Sequence, residues 1–577
     1  MRLWLGLFGL AAGCNIILGW HGWPAVFSGS LTDPDSYMRL VRILQGVQQG
    51  HLVIDVARDD SGAGVMVEWS RLLDALIWGM ALPFVPSLGW HDALLVAGDL
   101  LSPLGIGLLG VALAFVIEPF VARPFLFVTA IAAATLPGLQ TFASPGVVHY
   151  HILLLVLIAF TTGFVIRAWH GERWHGFLAG VCGGLAIWLT PETMPFVLMA
   201  FAVLLLRWMY EKNGSVIAAG AAGFIDVMGF GLALDPPEGG YNAIEIDRLS
   251  LVYVALGLLL LVGGLCLWRI DHWKPSKLNR PFGASLMAAL VIAWVAAFPQ
   301  VVMGPYGLMS HDDYHRFFGV MMELQPLHGL HDFMPFIFPG LLALLYSLFR
   351  TWRAQTAQAR LIWLYVSAVL LLTLILAAKF ILFVGFPAEI TAALVGVMLS
   401  DVSWRLRDAP TQAMLARITC ITTILVIPLL PIFPAAGHTS SLPAASCEMR
   451  HIDTLLAPIG TAITLAPPDA TPELLFRTQV TTVGSLYQHG VPGFLRLSDA
   501  WRTVPGAAVP GATVPAAVIA SRASYVLFCG SPIRNLIVDD LPATTLWDAL
   551  NDNQPPSWLR LQSQDSSTGW RLYKIIQ

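Results

Sequence analysis

The chain has 577 residues, of which 56% are hydrophobic and only 12% charged, with a mean hydropathy of +0.70. Soluble domains run near a quarter charged, so the composition excludes a water-soluble fold and points to a polytopic membrane protein. A net charge of −4 gives no footing for nucleic acid as a partner, and six cysteines over this length exclude a disulfide-built scaffold.

Met1-Arg2 and the apolar run 3–20 have the positive flank and hydrophobic stretch of a signal peptide. No small-x-small cleavage site precedes the polar loop that follows, so a retained first helix is expected. Further apolar runs lie near 92–117, 124–142, 150–168, 176–190, 194–208, 216–235, 250–268, 283–303, 333–349, 361–378, 380–400 and 418–437, which makes about thirteen spans. Cytoplasmic loops carry the excess of Lys and Arg. With Arg2 inside, the inner loops hold Arg167 and Arg173; Arg207 and Lys212; Arg269, Lys274, Lys277 and Arg280; Arg350, Arg353 and Arg360; and Arg405, Arg407 and Arg417. Opposite loops are acidic or nearly neutral, as from Asp235-Pro-Pro-Glu238 to Asp247. An odd number of spans then puts the tail outside.

The expected division is a transmembrane domain 1–437, carrying outer loops 21–91 and 304–332, and an outer C-terminal domain 438–577. In segment 36–50, Met38, Val41, Ile43 and Leu44 fall mostly on one helical face, as in an amphipathic helix at the membrane interface. The tail is rich in Pro, Thr and Ala, with an Ala/Pro/Val run at 504–517. Its β-like runs, Ala517-Val-Ile-Ala and Ser524-Tyr-Val-Leu-Phe-Cys529, predict a small mixed α/β domain. Cys447 and Cys529 share this tail and can form one disulfide if it is extracytoplasmic; Cys14, Cys182, Cys266 and Cys420 lie in apolar runs.

Acids at the mouth of a membrane bundle are costly, and several occur at the outer ends of spans. In Asp33-Pro34-Asp35-Ser36-Tyr37, two carboxylates two apart can face one hard divalent cation; an Asp-Pro turn capping a helix from Ser36 accounts for the same pattern. Ser144-Pro-Gly-Val-Val-His149-Tyr150-His151 offers two imidazoles for a metal or a phosphate, with an interfacial ring between them. The polar loop Ser310-His-Asp312-Asp313-Tyr-His315-Arg316, continuing to Glu323-Leu-Gln325-Pro326, suits a catalytic carboxylate or a substrate gate. Lys379 stands between two apolar runs as a phosphate-holding or a snorkelling cation, and Glu192 as a helix-start charge. The chain has no Walker-type GxxxxGK[ST], HExxH, GxSxG or CxxC, and few membrane-embedded charges for ion coupling.

An acidic D-x-Y in the first outer loop, a second motif in the next, Glu-x-Gln-Pro in a large later loop and an outer C-terminal domain together resemble the GT-C glycosyltransferases. The likeness is to the catalytic subunit of oligosaccharyltransferase and its bacterial relatives. In layout it covers the whole chain; in motifs it covers a few short segments. It implies a mainly α membrane bundle with a small mixed α/β outer domain in a bacterial inner membrane, the N-terminus cytoplasmic and the tail periplasmic. It further implies a divalent metal, Mg or Mn, bound by Asp35, with Asp33 as the alternative and His151 as partner. Glu323 then approaches the acceptor or the metal, and Lys379, His149, Tyr150, Gln325 and Arg316 serve the donor phosphate. Lys379 stands where the family carries an arginine, and it lacks that residue's bidentate fork. Two departures matter. The family's second motif opens on an acid, whereas His149-Tyr150-His151 does not, and imidazole is a poorer partner for Mg²⁺. The tail also lacks the Trp-Trp-Asp-Tyr-Gly motif that reads glycosylation sequons, which argues for a lipid, polysaccharide or other hydroxyl acceptor. Its Ser485-Leu-Tyr487-Gln-His489 and Tyr525-Val-Leu-Phe-Cys529 look like segments of bacterial relatives. The reading is a transfer of sugar or oligosaccharide from a polyprenyl-phosphate-type lipid. Its rivals are a non-catalytic or transporter-like protein on the same scaffold and a metal-independent O-antigen ligase or polymerase.

Overall fold

The described residues of the apolar runs named above are mainly helical in the computed structural model, which describes the chain except residues 20, 21, 170, 212, 274–277, 305–309, 320, 433–446, 506–513, 531–543 and 577. Lys212, Lys274 and Lys277, used above for orientation, and part of the 504–517 run lie outside the described residues. Among the described residues nine helices are long and apolar enough to cross a membrane, or ten if the pair Gly329–Phe336 and Phe338–Arg353, bent by 47°, is one span. The expected thirteen is therefore not reached on length and apolarity. Arg2–Leu18 and Arg123–Thr135 are shorter. The second stops ahead of Pro137, because the residue before a proline is pushed out of the α region.

By internal contacts the chain forms two compact units, described separately below: Met1–Trp23, Leu100–Leu308 and Glu323–Pro434; and Pro24–Asp99, Met309–Met322 and Ala435–Gln577. The first outer loop and part of the later one thus belong with the tail, whereas the sequence reading grouped them with the spans.

The first unit is a helical bundle. Helices Arg173–Leu189 and Gly214–Leu234 approach so closely that a Cβ at Gly180 would overlap the carbonyl oxygen of Gly220, and one at Gly223 that of Phe177. In a bilayer, where no hydrophobic force separates helix from lipid, such small-residue seams supply the packing.

The second unit is mixed α/β. A short antiparallel hairpin, β1 (Asp55–Val56) and β2 (Val65–Met66), comes from the first outer loop. The tail builds a five-stranded sheet from β3 (Ile463–Leu465), β4 (Thr481–Thr482), β5 (Tyr525–Phe528), β6 (Leu559–Gln564) and β7 (Arg571–Ile575), in the order β4-β3-β5-β7-β6. β3 runs parallel to β4 and β5, and β7 antiparallel to β5 and β6. Trp501, Phe528 and Trp547 pack ring against ring in its core, and a Cys447–Cys529 disulfide, Cα atoms 5.8 Å apart, closes a loop across 82 residues. One strand expectation fails: Ala516–Ala520 is a helix, begun after Pro515 as its N-cap and ended at Ser521. Four residues without alternation carry no β period, and Ala favours helix.

Helix Pro34–Gln49 is present, yet it does not offer one apolar face to a membrane interface. From Ser36 to Ile43 it is buried on all sides. Its two arginines are neutralised: Asp74 accepts from Arg39 at 2.8 Å and from Arg42 Nε at 2.7 Å, while Arg42 also donates to the carbonyls of Val67, Trp69 and Ser70.

Candidate functional site

The residues that the resemblance assigns to one site are carried by both units. Asp33, Asp35 and Arg316 lie on the α/β unit; His149, Tyr150, His151, Glu323, Gln325 and Lys379 lie on the helical unit.

In the α/β unit, Asp33 is the N-cap of helix Pro34–Gln49. Its carboxylate accepts from the backbone N–H of Asp35 (3.3 Å) and Ser36 (3.2 Å) and from Ser36 Oγ (2.8 Å), so the capping reading of the Asp-Pro pair is realised. Asp35 follows in the first turn, and Oδ1 accepts from the Tyr487 hydroxyl at 2.8 Å. Tyr487 is buried, its ring set edge-on to Trp69 at 5.3 Å, and Arg39 lies over the same indole at 4.4 Å. Burial, and then the Asp35 charge, hold the Tyr487 phenol well above its usual range, so it remains a donor. On the other side of the helix, Tyr37 is pushed up to about 12, chiefly by burial, and its oxygen accepts from Leu31 N (2.8 Å) and Arg477 (3.0 Å). Arg477 is itself clamped by Glu473 at 2.6 Å and by the Gly29 carbonyl at 2.7 Å. The helix start that presents Asp35 is therefore gripped by side chains from the tail.

The next turn of the loop is stitched to the same tail. Arg58 donates to the carbonyls of Thr478 and Val480, each at 2.9 Å, and to that of Leu475; Thr482 N donates to Arg58 O at 2.9 Å. Asp59 is fully buried and accepts from Thr482 Oγ1 (3.0 Å) and Ser485 Oγ, while Asp60 pairs with Arg496. Burial raises Asp59 to about 6 against those hydrogen bonds. A carboxyl whose folded pKa lies above its unfolded one stabilises the fold most when protonated. Its contribution is lost as pH rises from about 4 through about 6, by roughly 3 kcal/mol at 1.36 kcal/mol per unit. Asp59→Asn is therefore expected to gain stability relative to wild type across that window, read as the pH dependence of the denaturation midpoint of the purified protein; parallel curves would refute it.

Arg316, expected near phosphate, instead pairs with Asp499 at 2.5 Å and reaches Ser498 at 3.4 Å. With Phe317 against Phe494, it anchors helix His311–Phe318 to helix Val491–Arg502, so the guanidinium is engaged in holding the loop to the tail.

In the helical unit, His149 and His151 are buried with their Nδ1 atoms 3.1 Å apart, and Tyr150 and Phe142 stack on His151 at 4.3 and 4.4 Å. A hydrogen bond between two Nδ1 atoms at that distance requires a proton on one of them; if both rings are neutral, that ring has its lone pair at Nε2 and the other its proton at Nε2, so the pair offers one acceptor and one donor. The Glu-x-Gln-Pro segment holds Glu323 in a single 3₁₀ turn, Met322–Leu324. It docks on the end of the span that carries Lys379: Leu327 N donates to Ala378 O at 3.3 Å, and Ile381 N to Gln325 O at 3.1 Å. Gln325 and Lys379 are in this way brought to one rim, with Lys379 exposed in the last turn of Ala357–Lys379.

Sequence reasoning passed over Glu389. It is buried on helix Gly385–Arg405, with no hydrogen-bond partner among the described residues, and lines an apolar cavity together with Leu113, Ile158, Phe196, Tyr365 and Val397. A lone carboxylic acid within an apolar run was the available signal. Tyr487 was quoted only as part of an unassigned segment, because nothing local reveals a partner 452 residues away.

No known protein-family profile matches the chain, and no curated protein does. Solved structures do match. The archaeal oligosaccharyltransferase AglB from Archaeoglobus fulgidus, in complex with an inhibitory peptide and a dolichol-phosphate, superposes with a TM-score of 0.65 at 13% identity, over 91% of this chain and 69% of that one. The Archaeoglobus fulgidus enzyme tethered to an acceptor peptide containing an NVT sequon gives 0.67 at 12% identity, over 100% and 74%. The same enzyme complexed with Zn and sulfate gives 0.61 at 13% identity, over 90% and 67%. The chain has the fold seen in these structures of the archaeal oligosaccharyltransferase.

Proposed function

We propose that the protein is a membrane glycosyltransferase that moves a sugar or oligosaccharide from a polyprenyl-phosphate-type lipid to a hydroxyl acceptor, other than an Asn sequon, on the outer face of a bacterial inner membrane. The observation that carries this is Asp35: the acid that the resemblance singles out, presented in the first turn of a helix gripped from both sides, in a chain of oligosaccharyltransferase fold. Three features support the placement. The stretches that charge puts outside, 21–91, 304–332 and the tail, contribute to one compact α/β unit, which demands a common side. The Cys447–Cys529 disulfide belongs in an oxidising compartment. The Glu389 cavity has the apolar walls that a hydrocarbon chain needs.

The donor types fit a divalent ion. Asp33 and Asp35 supply hard oxygens, and the His149–His151 pair supplies one imidazole lone pair, a set better suited to Mn²⁺ than to Mg²⁺. Asp35, with Asp33 as the alternative, and His151 are the residues we assign to it, and when bound the ion neutralises charge on the departing phosphate. Lys379, Gln325, Tyr150 and the second imidazole serve the donor phosphate. The acceptor oxygen bonds to the anomeric carbon as the bond from that carbon to the phosphate oxygen breaks. Glu323 takes the hydroxyl proton, and the lipid phosphate leaves.

The test is release of polyprenyl phosphate by the purified protein given polyprenyl-linked sugars and candidate acceptors, with and without chelator. Release that chelator stops and Mn²⁺ restores is expected. Release that persists in chelator favours the metal-independent ligase, and no release with any donor favours the transporter-like scaffold.

A further inference from the structure

The buried hydroxyl on Asp35 comes from the far end of the chain. Tyr487 sits between β4 and the short turn Gln488–Gly490, in a segment fixed just upstream by Thr482 and Ser485 on Asp59 and just downstream by Arg496 on Asp60. Its ring is held against Trp69, and Trp69 under Arg39, whose own partner is Asp74. Each member of this line is packed by the next, so the phenol has one position from which to donate.

We propose that Tyr487 is a positioning residue for Asp35, fixing the carboxylate in one orientation for a divalent cation. This rests on the reading of Asp35 as a metal ligand. A carboxylate in the first turn of a helix has more than one staggered χ1 open to it and a broad χ2, and a donor fixed elsewhere favours one orientation. A phenol does so without cancelling the charge, whereas a guanidinium in its place would compete with the ion. Hydrogen-bond partners of metal ligands typically contribute 10–100-fold in metal affinity. The α/β unit thereby couples the order of its tail to the occupancy of its first loop.

The experiment is a Mn²⁺ titration of the purified full-length protein, free ion read by electron paramagnetic resonance. Tyr487→Phe keeps the ring on Trp69 and removes only the hydroxyl, and is expected to weaken Mn²⁺ binding about 10–100-fold, with activity recovering at saturating metal. Ser485→Ala, which loosens the same segment at Asp59 without touching Asp35, is expected to bind like wild type. Unchanged affinity in Tyr487→Phe overturns the proposal, and so does equal weakening in both variants, which would indicate general disorder of the segment. Should Tyr487→Phe not fold, Tyr487→His, which keeps a neutral N–H donor, decides: affinity near wild type supports the role, and a 10–100-fold loss in a folded protein refutes it. If Asp35→Ala itself binds Mn²⁺ like wild type, the functional reading fails first, and the two failures stay distinct.

Discussion

Asp35→Ala is expected to abolish sugar transfer while the protein still inserts and folds, and Glu323→Ala to do the same. In the role proposed for Asp35 the loss is of a ligand to an ion that would contribute several kcal/mol of charge stabilisation, about a thousandfold or more in rate at 1.36 kcal/mol per decade. For Glu323 it is of a general base, about 10²–10⁴-fold. Both are local. Asp35 meets the Tyr487 hydroxyl at the surface of a helix whose cap, Asp33, and whose side clamps, Tyr37 with Arg477 and Asp74 with Arg39 and Arg42, are untouched by the change. Glu323 occupies one 3₁₀ turn whose attachment to the Lys379 helix runs through backbone atoms of residues 325 and 327. Polyprenyl phosphate release at matched protein levels in membranes is the measurement. Wild-type turnover in either variant removes that residue's assigned role.

Asp74→Ala is expected to be the most destabilising single change in the α/β unit. Arg39 and Arg42 are 2% and 1% exposed, and Asp74 is the carboxylate that both reach. Deleting it takes the shared carboxylate from two buried guanidinium charges, and breaking a buried pair costs about 3–5 kcal/mol, whereas replacing a whole buried ion cluster by apolar groups is often neutral. For a unit of this size that is a fall of roughly 6–20 °C in the unfolding midpoint. The triple variant Asp74→Leu, Arg39→Met, Arg42→Met should recover much of it, unless the loss of Arg39 over Trp69 dominates. Differential scanning fluorimetry in detergent reads both. A midpoint for Asp74→Ala within a degree of wild type would show that the arginines find other partners.

What could be read from the sequence was whatever is local. Apolar runs place the helices because twenty residues of hydrocarbon need no partner to be recognised. Asp33 and Asp35 stand out because acids at a bundle rim are costly, and Glu-x-Gln-Pro because it is contiguous. Where the reading went astray, the deciding contact was remote. The apolar residues of helix Pro34–Gln49 suggested a face at the membrane interface, whereas the whole stretch from Ser36 to Ile43 is buried and its arginines meet Asp74, 32 and 35 residues away. Ala517–Ala520 was too short for any period to speak, and the adjoining proline decided it. The grouping of the first outer loop with the tail depends on Arg58, Asp59 and Asp60 finding partners more than 400 residues along, which no window of sequence contains.

That same separation sets a schedule for biogenesis. Tyr487 follows Asp35 by 452 residues, so at 5–20 residues per second the loop carrying the acid waits about 20–90 s before its partner has been synthesised. During that interval β1 and β2 have no sheet beside them, and Arg58 has no carbonyls to grip. Non-local pairing of this kind is slow and exposes unsatisfied edges while it is pending. A nascent chain stalled anywhere before the tail therefore holds an Asp35 that has not yet met the Tyr487 hydroxyl, and the order of synthesis alone sets when that contact can form.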